Sequence, residues 1–148
     1  MDVVLDSNVW VSGLLWRGAP WQILRRVAAG DVTLWATPSI IQEVQQTLNY
    51  PRLQPRRVKL NLEIIDLISY ALTLMSLVER ADVPRVVADD PDDVFVACAV
   101  HVGASYLVSG DRHLLVIGQH QNVMIVQPHV FLGSAFPQDQ PSTPEFLR

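Results

Sequence analysis

The sequence predicts an α/β fold, in which a mainly parallel sheet carries helices on both faces. Short apolar runs rich in valine and leucine recur along the 148-residue chain, as expected of buried parallel strands. Segments with helical periodicity separate these runs, and this alternation of strands and helices is typical of a parallel sheet. Prolines, glycines and serines at the segment ends mark where the helices start and stop.

The length and composition predict one domain with one core. Apolar residues make up 49% of the chain and charged residues 18%, so much of the chain must be buried. We place a single domain at residues 1–135. Residues 136–148 contain three prolines, and we expect an irregular tail there.

A cytoplasmic location is the simplest reading of the composition. No apolar run reaches the roughly 18 residues of a membrane span, so we expect no membrane association. The N-terminus lacks the pattern of a signal peptide. The single Cys98 cannot form an internal disulfide, which fits a reducing compartment. The net charge of -4 argues neither for nor against a nucleic-acid partner.

The first elements are a strand and two helices. Val3–Leu5 is fully apolar and predicts a buried strand. A helix from Val9 to Trp16 follows, with Ser7 or Asn8 as its N-cap. A second helix covers Trp21–Ala29 and ends at a glycine.

The middle of the chain predicts one strand and two further helices. Val32–Ala36 is the strand. Pro38 suits the first helical position, and Ser39–Gln42 resembles a capping box, so a helix is expected up to residue 48 or 49. A longer apolar helix is expected over Pro55–Met75.

Three more strands and one helix complete the prediction. Ser76–Val78, Tyr106–Val108 and Val123–Val126 are short apolar runs typical of strands. A helix from Asp92 to Val102 begins after a proline and ends at a glycine.

Carboxylates occupy informative positions in this scheme. Asp6 and Asp111 follow predicted strands directly, and Glu43 and Asp93 lie about one turn into predicted helices. Ligands of open parallel sheets bind at the carboxyl ends of the strands. Acids gathered there would suit a hard divalent cation, which prefers oxygen ligands.

Four segments together resemble the PIN-domain family. They are Leu-Asp6-Ser7-Asn8, Ser39-x-x-x-Glu43, Asp89-Asp90-Pro91-Asp92-Asp93 and Ser109-Gly110-Asp111. The likeness spans about residues 1–132, and the order and spacing of the segments carry it. It is strongest toward small stand-alone PIN proteins classed as toxins of toxin–antitoxin systems, relatives of the VapC ribonucleases.

The resemblance implies a three-layer α/β/α sandwich with an acidic pocket that holds Mg²⁺ or Mn²⁺. It implies cleavage of phosphodiester bonds in an RNA substrate. It also implies a cognate antitoxin protein and a homodimer, neither of which the sequence itself shows.

The resemblance also assigns roles to individual residues. The catalytic acids are Asp6, Glu43, Asp93 and Asp111, and three of them, Asp6, Asp93 and Asp111, would bind the metal. Supporting positions are Ser7, Asn8, Ser109, Asp92 and Asp89, with Asp92 an alternative to Asp93 as the third acid. Candidates for substrate binding are Arg112, which adjoins the last acid, and Arg56 and Arg57, which lie in the basic segment 52–59.

Two other functions compete with this one. A phosphatase of the haloacid-dehalogenase type needs a second aspartate two residues after the first, and Asn8 stands there. A non-catalytic RNA-binding or protein-interaction module with a degenerate PIN pocket stays open, although all four acids are present. Each acid alone could be a helix cap, a turn residue or a solvated side chain.

Overall fold

The computed structural model describes residues 1–78 and 93–139, with the backbone alone at residues 93 and 139. These residues form a six-stranded sheet in the order β3-β2-β1-β4-β6-β5, with helices on both faces. The strands are β1 Asp2–Leu5, β2 Thr33–Ala36, β3 Met75–Leu77, β4 Tyr106–Val108, β5 Gln119–His120 and β6 Val123–Val126. All neighbours pair in parallel except β5 and β6. The predicted α/β/α fold with a mainly parallel sheet is confirmed.

The helices of the described residues alternate with these strands. They are α1 Ser7–Leu15, α2 Ala19–Ala28, α3 Pro38–Leu48, α4 Gln54–Lys59, α5 Ile64–Leu74, α6 Asp93–Val102, α7 Arg112–Ile117 and α8 Pro128–Ala135. Short 3-10 turns cover Pro51–Leu53 and Pro137–Asp139. Among the described helices, none has the length and apolar character to cross a membrane.

The sheet has a topological switch point between β1 and β4. The chain builds outward from β1 to β2 and β3, then returns to β4 on the other side of β1. The register pairs Val3 with Tyr106 and Leu5 with Val108. At such a point the outgoing connections diverge to opposite sides and leave a crevice at the carboxyl edge.

The core lies on both faces of the central strands. Val3, Val4 and Leu5 of β1 are fully buried, because helices cover both sides of a central parallel strand. The large buried side chains include Trp10 of α1 and Phe95 of α6. This arrangement explains why the strands are continuous apolar runs.

The N-caps of α1 and α3 differ from the prediction. Asp6, not Ser7 or Asn8, caps α1 by accepting a hydrogen bond from the Val9 N–H, and Thr37 caps α3 in the same way. In both cases the last extended residue after the strand supplies the side chain. The capping box predicted at Ser39 is therefore wrong, because the N-cap of α3 lies two residues earlier, at Thr37.

The single helix expected over Pro55–Met75 is wrong, because a helix end interrupts it. Asn61 has φ of 55°, and its N–H bonds to the carbonyl of Val58. The N–H of Leu62 bonds to the carbonyl of Arg57. These two bonds form a Schellman motif, in which asparagine tolerates the left-handed conformation. A capping box at Glu63 then starts α5.

The remaining predictions vary in accuracy. The strands at Tyr106–Val108 and Val123–Val126 are confirmed to the residue, and β3 is confirmed one residue earlier than expected. The short elements α7, β5 and α8 were missed. The start expected for α6 at Asp92 lies outside the described residues, as do residues 140–148, and the tail stays a prediction.

Candidate active site

Asp6 lies buried at the carboxyl end of β1, where α1 begins. Its side chain is only 4% exposed. One carboxylate oxygen, Oδ1, accepts the Val9 N–H at 2.8 Å, and the other, Oδ2, accepts the hydroxyl of Ser109. The backbone of Gly110 contributes a third hydrogen bond, so about one acceptor position stays open, because a carboxylate can accept about four hydrogen bonds in all. The capping role expected of such an aspartate and a role as cation ligand are therefore compatible.

Ser109 connects Asp6 with Asp111 across the switch point. Its hydroxyl is fully buried, donates to Asp6 and accepts the N–H of Asp111 at 2.9 Å. Asp111 in turn caps α7, because its Oδ1 accepts the N–H of His113 at 2.8 Å. The sequence suggested Ser109 only as a supporting residue, and the structure gives it direct contacts with both strand-end acids.

Glu43 also belongs to this group, because it lies near enough to Asp6 for the two charges to interact. Burial raises the pKa of Asp6, and the negative charge of Asp111 adds to the increase, while hydrogen bonds from Ser109 and Val9 oppose it. Burial likewise raises the pKa of Glu43, with a further contribution from the charge of Asp6. Three of the four expected acids thus share one region, and their mutual repulsion favours protonation or a bound cation.

The backbone places Asp93 at the same edge of the sheet. Residues 103–105 alone join the end of α6 to β4, and α6 packs against β1 and β4. The helix therefore runs opposite to the strands, and its first residue, Asp93, lies at the carboxyl edge. The alternates Asp89 and Asp92 lie outside the described residues, so the choice of third acid stays a prediction.

A polar pocket of about 340 Å³ opens beside the acids. Its walls combine residues of the predicted site with residues that sequence reasoning did not assign. The lining residues are Ser7, Asn8, Glu43, Gln46, Thr47, Tyr50 and Arg52. Helical spacing from Glu43 could have indicated positions 46, 47 and 50, because residues three, four and seven apart share one face.

The arginines suggested for substrate binding have different surroundings. The Nε of Arg56 donates to the carbonyl of Leu15 at 2.8 Å, and its guanidinium lies 5.4 Å from the centre of the Trp16 ring. Arg57 lines a separate pocket of about 280 Å³ at the junction of α4 and α5. Arg112 is exposed and begins α7, next to Asp111. Contact of these residues with substrate stays a prediction.

The available ligands fit a hard cation better than a soft one. The side chains around Asp6 offer carboxylate and hydroxyl oxygens, as Mg²⁺ and Mn²⁺ prefer. Cys98 is buried in the core, where burial raises the pKa of its thiol to about 12. Among the described side chains, no three acidic, histidine or cysteine groups are arranged to hold a metal ion. A complete site would therefore need Asp93 or retained waters in addition to Asp6 and Asp111.

Comparison with known proteins identifies the family. The sequence pattern of the PIN domain matches residues 2–113. Among solved structures, a chain of the VapBC2 complex of Rickettsia felis, bound to a DNA fragment from its promoter, is similar with a TM-score of 0.57. That likeness has 13% identity and covers 84% of this chain and 97% of the other, so it concerns the fold alone. No curated protein matches the chain. The match over residues 2–113 shows that this chain belongs to the PIN-domain family.

Proposed function

We propose that this protein is a metal-dependent endoribonuclease, which hydrolyses phosphodiester bonds in RNA as the toxin of a toxin–antitoxin pair. The observation that carries the proposal is the convergence of Asp6, Glu43 and Asp111 in one partly buried region. Structural acids rarely gather without cationic partners, because like charges destabilise one another. Membership in the PIN-domain family supports the same function.

Each acid has a role in the proposed chemistry. Asp6, Asp111 and Asp93 would hold Mg²⁺ or Mn²⁺, and the Ser109 hydroxyl joins the Asp6 side chain to the backbone N–H of Asp111. When bound, such an ion would supply activation of a water and stabilisation of negative charge on the phosphate. Glu43 suits the acceptance of a proton from that water, because a raised pKa brings a carboxylate nearer to the working pH.

RNA cleavage with purified protein tests the proposal. We expect labelled single-stranded RNA to be cut in the presence of Mg²⁺ or Mn²⁺ and to stay intact in EDTA. Asp6→Asn keeps the shape of the side chain but removes its charge, and we expect at least a hundredfold lower rate, as is typical when an essential electrostatic group is lost. Asp31→Asn is the matched control, because Asp31 forms an exposed ion pair with Arg26.

A non-catalytic RNA-binding module is the competing outcome. In that case the wild type and Asp6→Asn would both bind RNA, and neither would release product with any metal. Equal cleavage by the two proteins would also count against the proposal, because it would point to a contaminating nuclease or to a different site.

An antitoxin partner, a homodimer and a cytoplasmic location complete the proposal. The support for the partner is the fold shared with a chain of a VapBC complex. The lone, buried Cys98 is compatible with a reducing compartment. Expression of the wild type should stop the growth of a bacterial host, and co-expression of the cognate antitoxin should restore it. Light scattering of the purified protein gives its oligomeric state.

A further inference from the structure

We propose that Tyr50 and Arg52 form a nucleotide subsite for single-stranded RNA beside the acidic pocket. In this subsite a base stacks on the Tyr50 ring and a phosphate pairs with the Arg52 guanidinium. The inference rests on the proposed function for its substrate class, and it adds the feature that positions the RNA next to the cut.

One face of α3 and the turn that follows it connect Glu43 with this subsite. Glu43, Gln46, Thr47 and Tyr50 follow a spacing of three, four and seven residues and line one pocket. The hydroxyl of Thr47 is buried and donates to the carbonyl of Glu43 at 2.8 Å. α3 ends at Leu48, and Tyr50 follows two residues later in an extended conformation, on the same pocket as Glu43. Gln46 lies between Glu43 and Tyr50, and its polar side chain is exposed.

The turn after α3 holds Tyr50 and Arg52 in place. Pro51 keeps Tyr50 in an extended conformation, with φ of −60° and ψ of 133°. The N–H of Tyr50 bonds to the carbonyl of Thr47, and the carbonyl of Tyr50 accepts the N–H of Leu53. Leu53 is buried and anchors the turn in the core. A surface fixed in this way loses little conformational freedom when RNA binds.

The two side chains have the chemistry that single-stranded RNA requires. Tyr50 is 46% exposed and lines the polar pocket, so its ring is accessible to a base. Arg52 is exposed, its guanidinium lies 5.6 Å from the centre of the Tyr50 ring, and it forms no ion pair with any described residue. Aromatic rings stack with any base, and arginine pairs with phosphate through two parallel hydrogen bonds.

The geometry favours unpaired RNA over a duplex. Bases of a double helix are stacked on each other and cannot reach a ring in a pocket, whereas bases of loops and single strands can. We therefore expect binding to a single-stranded hexanucleotide and little binding to the same sequence in a duplex. Stacking alone distinguishes bases weakly, so any preference would come from the Gln46 amide.

Binding measurements in the Asp6→Asn background test the stacking contact without cleavage. The probe is a fluorescently labelled single-stranded RNA hexanucleotide of mixed sequence, followed by anisotropy. We expect Tyr50→Ala to weaken binding about tenfold or more, the typical effect of losing one base–aromatic stack. Tyr50→Phe should keep the affinity. Tyr70→Ala is the matched control, because Tyr70 is comparably exposed on α5.

The phosphate contact is tested by salt dependence. Arg52→Ala should weaken binding and reduce the slope of log affinity against log salt by about one. Lys59→Ala removes one positive charge from an exposed position outside this pocket and should leave the affinity within about twofold. Equal effects of the two substitutions would show a general charge effect and would overturn the assignment to Arg52.

Failure of the subsite and failure of the nuclease are separate results. If the wild type cleaves RNA and Tyr50→Ala cleaves with the same KM, the subsite is wrong and the nuclease stands. If nothing is cleaved but binding depends on Tyr50, the subsite stands without the nuclease. Absence of RNA binding by the Asp6→Asn protein with Tyr50 intact would overturn the subsite.

Discussion

Asp6 has a structural role and a chemical role, and the two have opposite effects on the stability of the folded protein. As the N-cap of α1 it satisfies the Val9 N–H, which is worth about 1 kcal/mol. As a buried carboxylate it is costly to ionise, and the charge of Asp111 increases this cost. The hydrogen bond from Ser109 recovers part of it. The metal-free protein therefore carries a local destabilisation at neutral pH, which a cation would relieve.

The first prediction is that Asp6→Asn leaves the metal-free protein as stable as the wild type at pH 7, or more stable. The folded state raises the pKa of Asp6, so it binds more protons than the unfolded state between the two pKa values. The free energy of unfolding of the wild type therefore falls as the pH rises through this interval. Asn lacks the titration, and its advantage should vanish below about pH 4. Urea unfolding in EDTA at several pH values measures this.

Asp6→Ala is the control for the capping role. Asn retains an oxygen for the Val9 N–H, whereas Ala does not, so Asp6→Ala should be about 1 kcal/mol less stable than Asp6→Asn at every pH. A marked loss of stability in Asp6→Asn at pH 7 would mean that the carboxylate is structural, and it would weaken the case for a cation site.

At the scale of elements, the contact between α1 and α2 depends on Gly13. A Cβ atom at this position would lie 2.8 Å from Cδ1 of Leu24 and 3.1 Å from the carbonyl oxygen of Pro20. The second of these atoms belongs to the backbone and cannot easily move. The close approach of the two helices therefore disfavours a side chain at residue 13.

We predict that Gly13→Ala lowers the free energy of unfolding. Overpacking costs about 1–3 kcal/mol, which exceeds the gain of roughly 1 kcal/mol expected from alanine in a helix. Gly18→Ala, at the N-cap of α2, is the control for steric overlap alone, because its Cβ would meet only Pro20 at 3.8 Å. Chemical denaturation of both variants measures the difference. A Gly13→Ala protein with unchanged or greater stability would contradict the packing argument.

Sequence patterns predicted most elements, and the exceptions have identifiable causes. Fully apolar runs such as Val3–Leu5 identified the central strands, because a strand buried on both faces can contain little else. The break at Asn61 was missed because apolar residues continue across it at helical spacing. Its signals were local: an asparagine suited to the left-handed conformation and the capping box at Glu63. Short elements such as β5 have too few residues to show a period.

At the scale of the whole molecule, the sheet order determines where the acids meet. Asp6 and Asp111 follow β1 and β4, the two strands that flank the switch point. Their sequence positions indicated strand ends, but not which strands are neighbours. The bond between Ser109 and Asp6 joins residues 103 positions apart, and no local pattern predicts such a contact. The resemblance to a family supplied the expectation of convergence that spacing alone could not.

We predict that Mn²⁺ or Mg²⁺ stabilises the whole domain and that Asp6→Asn abolishes this effect. A ligand at one hundred times its Kd adds about 2.7 kcal/mol to the free energy of unfolding. For a chain of this length that corresponds to a rise in Tm of roughly 5–10 °C. Thermal unfolding with and without metal, at constant ionic strength, measures the shift. The same rise in the Asp6→Asn protein would place the cation elsewhere.

The bond between Ser109 and Asp6 also has a consequence for synthesis of the protein. Asp6 leaves the ribosome early, but the residues that complete its surroundings are made about a hundred positions later. A nascent chain that already contains the residues of β1, β2 and β3 still lacks β4, and with it Ser109 and Asp111. If the site cuts RNA, the nascent chain therefore cannot cleave RNA until β4 has been synthesised. Any toxic activity begins only when the chain is nearly complete.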